Sequence, residues 1–118
     1  MAWRVAIASI DGILVTEHFG RSRWFYIFDI RRDGTGTLVE RRDVNPPCGN
    51  GGHTDGGMEQ TIAVLGDCAA VLAARIGPAA RKRLEMAGIS PFDEPVIAEE
   101  AFKKLAVYYG RTNFPENS

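Results

Sequence analysis

Apolar residues cluster in short β-branched and aromatic runs through the first third of the chain, then recur every third or fourth position towards its end. Residues 3–9, WRVAIAS, are apolar and branched and stop at the turn signal Asp11-Gly12, which predicts a first strand. Residues 23–30, RWFYIFDI, predict a second strand. A glycine-containing turn over 31–36 folds it into a hairpin with residues 37–44, where Leu38 and Val39 sit beside Glu40, Arg41 and Arg42, as expected of a water-facing edge strand. Residues 45–57, NPPCGNGGHTDGG, cannot form a regular element and make the longest irregular loop. Met58, Ile62 and Leu65 share a helical face that Gly66 terminates, and the apolar run 68–74, CAAVLAA, reads as a buried parallel strand. Pro78 at a first-turn position and Gly88 at the end bracket a second helix. A short strand over 89–92 precedes a third helix, Ala98 to Tyr109, with Phe102, Leu105 and Tyr109 on one face.

This order predicts an α/β fold: a mixed five-stranded sheet, antiparallel in its first half and parallel in its second, packed by about three helices. One domain over residues 1–110 with a loose tail over 111–118 suits the length of 118 residues. With 45% hydrophobic and 25% charged residues, the composition is that of a globular protein. A net charge of -1 gives no general attraction to nucleic acid or anionic membrane, so neither is expected as a partner. The N-terminal apolar run is too short for a signal-peptide core or a membrane span, so a cytoplasmic location is expected. Cys48 and Cys68 form no CxxC pair and read as free thiols, and the chain is read as a monomer.

In an open α/β sheet, ligands gather outside the carboxyl ends of the parallel strands. Three segments are expected to converge there: Ser9 to Arg21, the loop from Cys48 to Gly57, and Arg75 to Ala79. Backbone N–H groups at the helix starts near Met58 and Pro78 favour an anionic ligand, with Arg21 and Arg75 adding charge. Soft-metal ligands are few, namely His18, Cys48 and His53, with Cys68 and Met58 as lesser candidates. Cys68, at the start of an apolar run, reads as a buried core residue. The spacings do not make a closed tetrahedral zinc site. A loosely held, exchangeable cluster keeps most of its bonds internal and needs fewer protein ligands.

The segment Glu17-His18-Phe19-Gly20-Arg21 leading into an aromatic strand, Asn45-Pro46 opening the glycine loop, and Ile76-Gly77-Pro78 before Ala79 occur in this order. Together they resemble the landmark motifs of the dinitrogenase iron-molybdenum cofactor family, over about residues 3 to 106. The resemblance implies a ribonuclease-H-like fold. It also implies binding of iron-molybdenum cofactor or its iron-sulfur precursors as cargo, without catalysis, in company with metallocluster-assembly or nitrogenase-maturation proteins. A histidine matching His18 is the family residue linked to cofactor contact. Cys48 in the loop and Arg75 before Ile-Gly-Pro depart from the usual pattern, which suggests thiolate ligation and a preference for anionic clusters respectively. In this reading His18, Cys48 and His53 ligate the cluster, while Arg21, Arg75 and the backbone at Gly77 offset its charge.

Two other functions compete. Nuclease chemistry needs clustered carboxylates, but Asp11 and Asp29 are expected at opposite ends of the sheet. A metal-free interaction or regulatory module could use the same loop. The aromatic run Trp24 to Phe28 reads as core plus one sheet face, and the arginine pairs at 31–32 and 41–42, like Arg81-Lys82-Arg83, read as solvated surface.

Overall fold

A computed structural model describes residues 3–44 and 55–112. The sheet has five strands, β1 (Trp3–Ile7), β2 (Trp24–Ile30), β3 (Gly36–Asp43), β4 (Ala70–Ala73) and β5 (Ser90–Asp93), in the spatial order β3-β2-β1-β4-β5. β2 runs antiparallel to both β1 and β3, while β4 is parallel to β1 and to β5. Helices α1 (Asp55–Val64), α2 (Pro78–Met86) and α3 (Ala98–Thr112) complete the elements, so the third helix runs past the Tyr109 boundary that its apolar pattern predicts. Asn113 to Ser118, in the expected tail, and Cys48 and His53 lie outside the described residues.

Strand alternation sorts the core into two layers. Trp3, Val5 and Ile7 of β1, Ile30 of β2, and Ala70 and Leu72 of β4 pack against Ala98, Ala101, Phe102, Leu105, Ala106 and Tyr109, the apolar stripe of α3. Ala6 and Ala8, Phe25 and Ile27, and Val71 and Ala73 point the other way, towards Leu65 beyond α1 and Ala80 and Leu84 of α2. Burial on both faces explains why β1 and β4 read as nearly continuous apolar runs. Gly36 is fixed by packing: a Cβ there would lie 2.6 Å from the Phe102 ring.

The arginines read as solvated surface are mostly engaged. The Arg42 side chain is only 18% exposed, because its guanidinium grips Asp67 at 2.6 and 2.9 Å, Glu40 at 2.6 Å and the Val64 carbonyl at 2.8 Å. Arg4 joins the cluster through Asp29 and Asp67. Arg81 pairs with Asp93, Arg83 with Glu59, and Arg32 lies over the Trp3 ring. The edge strand is therefore stapled to the turn after α1.

Candidate functional site

The site region is built where β1 and β4 end. After Ile7 the chain continues through Ala8, whose N–H donates to the Leu72 carbonyl, and into a loop ordered by side-chain oxygens. Ser9 Oγ accepts from the Gly12 N–H at 2.9 Å, and the Asp11 carboxylate accepts from the Ile13 and Leu14 N–H groups at 2.9 and 3.1 Å. Those backbone donors hold the Asp11 carboxyl below its ordinary range. Gly12 turns this loop with φ +79°, a conformation that favours glycine.

The chain then returns to the sheet and extends it by one short pairing. The Ala74 N–H donates to the Glu17 carbonyl and the Phe19 N–H to the Arg75 carbonyl, each at 2.9 Å. His18 and Arg75 thereby become parallel bridge partners, neighbours on the surface and both exposed. Phe19 anchors the turn: it is buried, and its ring lies 5.6 Å from that of Phe25. Burial of Phe19 leaves its neighbours His18 and Arg21 on the outside, with the three-residue 3-10 turn Phe19–Arg21 closed by the Arg21 and Ser22 N–H groups onto the His18 carbonyl.

Two residues beyond Arg75, Gly77 is the N-cap of α2, and no side chain among the described residues caps that helix start. Among the described residues, nothing lies within 4 Å of where a Cβ at Gly77 would sit. With Pro78 at the first helical position, the next N–H groups of α2 face the region that Arg75 borders, an arrangement that suits an anion. The structure thus brings His18 beside Arg75, two residues before Gly77, at the carboxyl ends of the parallel strands, with Arg21 on the turn that follows His18; these come from two of the three segments expected to converge. Chemically, the group offers one imidazole ligand, guanidinium charge and backbone donors.

The same loop walls a cavity of about 260 Å³, bordered by Glu17, Arg21, Arg23 and Trp24. Trp24 is not simply core, because its indole Nε1 donates to the Ser9 carbonyl at 2.9 Å and the Arg41 guanidinium sits 4.7 Å from its ring centre. Sequence reasoning missed this wall. The available signal was an indole, which carries a polar N–H, directly after two arginines spaced by one serine.

Cys68 is buried, and desolvation with the neighbouring Asp67 carboxylate pushes its thiol up to about 12, so it is an inert core residue. Asp29, tied to Arg4 at 2.9 Å, lies beside the start of β1, while Asp11 lies beyond its end. The two carboxylates cannot share a metal pair.

The fold is that of a small α/β domain with an exposed histidine and basic groups at its strand ends. The chain belongs to the dinitrogenase iron-molybdenum cofactor family, whose profile matches residues 1–107. The FeMo cofactor biosynthesis protein NifB of Frankia alni is 38% identical over 104 residues, which make up 86% of this chain and 20% of that protein. The protein of the same name from Herbaspirillum seropedicae is 32% identical over 105 residues, 89% of this chain and 19% of that one. The chain therefore spans about a fifth of the length of these curated relatives. Among solved structures, the apo form of the orange protein from Desulfovibrio gigas shares the fold with a TM-score of 0.57 at 22% identity, covering 100% of this chain and 95% of the other. Among the described residues no helix is long and apolar enough to cross a membrane.

Proposed function

We propose that this chain acts in iron-molybdenum cofactor biosynthesis by holding an iron-sulfur or iron-molybdenum cluster as cargo and passing it to a nitrogenase-maturation partner. The role is binding, without turnover. The observation that carries this reading is the bridge between His18 and Arg75 beside the start of α2. An imidazole there ligates an iron of the cluster, while Arg75, Arg21 and the backbone after Gly77 offset the negative charge of a sulfide-rich cargo. Cys48 and His53 would complete the ligand set. Few protein ligands suit a cluster that must leave again. The name shared by the curated relatives supports the pathway. The strand order, with β2 alone reversed, supports the ribonuclease-H-like assignment.

The test is anaerobic titration of the chain with iron plus sulfide, and separately with isolated iron-molybdenum cofactor, read by visible absorbance and elemental analysis. Wild type is expected to take up cluster stoichiometrically, and His18→Ala to lose most of it. A colourless wild type under both conditions would overturn the carrier reading. The second reading, a metal-free interaction module, is favoured by one observation: Ile10 and Ile13, in the loop that carries His18, are 63% and 62% exposed.

A further inference from the structure

We infer that the cavity beside the His18 turn is a binding site for a small carboxylic acid carrying a hydroxyl or ammonium group next to its carboxylate. Its walls are fixed by the backbone. The N–H of Glu17 donates to the Ala8 carbonyl at 3.1 Å and its own carbonyl accepts from Ala74 at 2.9 Å, so the chain at Glu17 is pinned from both sides. Ser22, between the two arginines, is buried and donates through its hydroxyl to the Trp24 carbonyl at 2.5 Å. That bond places Arg21 and Arg23 as exposed flanks of one cavity. Trp24 is held by its Nε1 bond to Ser9 and by the Arg41 guanidinium over its ring.

The chemistry of the walls selects the ligand. Guanidinium groups match carboxylates in planar, two-point fashion. The Glu17 carboxylate repels an anion that offers nothing in return and attracts one that presents a hydrogen-bond donor. Trp24 and Ile10 supply apolar wall for a short carbon skeleton. A volume of about 260 Å³ admits an acid of a few carbons and is small for a nucleotide. Sulfate, which has no hydrogen-bond donor, fits the arginines but leaves Glu17 unmatched.

Three four-carbon diacids that differ at one carbon make the test: L-malate with a hydroxyl, L-aspartate with an ammonium and succinate with neither, with sulfate as the inorganic anion. Each is titrated into the iron-free chain while tryptophan fluorescence is followed, so the result does not depend on cluster uptake. Of the two tryptophans, Trp3 is fully buried at the far end of β1, so a change reports Trp24. Calorimetry on Trp24→Phe checks that the optical signal comes from this ring. Malate, aspartate or both are expected to bind at least about tenfold tighter than succinate and sulfate, since a hydrogen bond to a charged group contributes that much. Arg23→Ala should weaken binding by roughly ten- to hundredfold, with Arg23→Lys in between. Glu17→Gln should remove the preference over succinate. Equal binding of succinate or sulfate, no saturable binding of malate or aspartate, or affinity unchanged in Arg23→Ala would each overturn the assignment.

Discussion

Replacing Asp67 with asparagine should destabilise the fold measurably at neutral pH and progressively less in acid. The Asp67 carboxylate accepts from Arg42 Nη1 at 2.6 Å and Nη2 at 2.9 Å, and from Arg4 Nη1 at 3.0 Å. These guanidinium bonds, Arg42 first, hold its carboxyl well below the usual range against the opposing effect of burial. The Asp67 side chain is 44% exposed, so solvent screens the attraction, and each bond counts at the low end for charged partners. Together they contribute about 2 kcal/mol, a substantial share of a typical stability of about 5–15 kcal/mol. At roughly 2.1 cal/mol/K per residue, a chain of 118 residues should lose about 8 °C in Tm. Because the folded carboxyl titrates below its unfolded value near ~3.9, the unfolded state binds the extra proton as pH falls. The stabilisation is thus complete above about pH 5 and shrinks as the pH drops below about 4. Thermal and urea melts of wild type and Asp67→Asn followed by circular dichroism at pH 7, 4 and 2.5 give the comparison. A difference under about 0.5 kcal/mol at pH 7, or one that stays constant into acid, would refute the clamp as a stabilising feature.

Phe19→Ala should cost about 3–5 kcal/mol by emptying a buried aromatic site, and should lower cluster uptake more than a matched core truncation because His18 and Arg21 stand on that turn; uptake and melting of the same preparations separate the two effects. Gly36→Ala should lose about 1–3 kcal/mol, since its Cβ would press on the Phe102 ring, and equal stability in urea would contradict that packing. Native Cys68 should resist iodoacetamide at pH 8 and react only after unfolding, as peptide mass mapping would reveal. Burial raises the Cys68 thiol and the Tyr109 phenol alike, each to about 12, so their contributions are present below their unfolded values and are lost as pH rises. Stability should therefore decline above about pH 9, and a flat urea midpoint up to pH 11 would count against their burial.

Several features were legible in the residues because they depend on short windows. The β-branched and aromatic runs over Trp3–Ile7 and Trp24–Ile30, the spacing of Phe102, Leu105 and Tyr109, and the glycine and proline stops around α2 each express a local propensity, a local period or a local steric rule. Hence the five strands, three helices and mixed pairing could be anticipated, with boundaries displaced by one to three residues where propensity is weak, as before α1 and after α3. The landmark motifs around His18 and Gly77 were equally visible, being contiguous stretches.

Contacts between distant segments were set only by the tertiary structure. Arg42 looked like one charge of a solvated edge, yet the register of β3 against β2 delivers its long side chain to Asp67, far away in sequence. The aromatic run that starts at Trp24 read as core plus one sheet face, and it is the returning loop that gives the Trp24 N–H the Ser9 carbonyl and makes its ring the wall of a cavity. The pairing of His18 with Arg75 arises because the burial of Phe19 pulls the loop back onto the end of β4. A pattern of residue types records which face each position prefers; which faces meet is decided by the joint packing of all the elements, and the candidate site consists of such meetings.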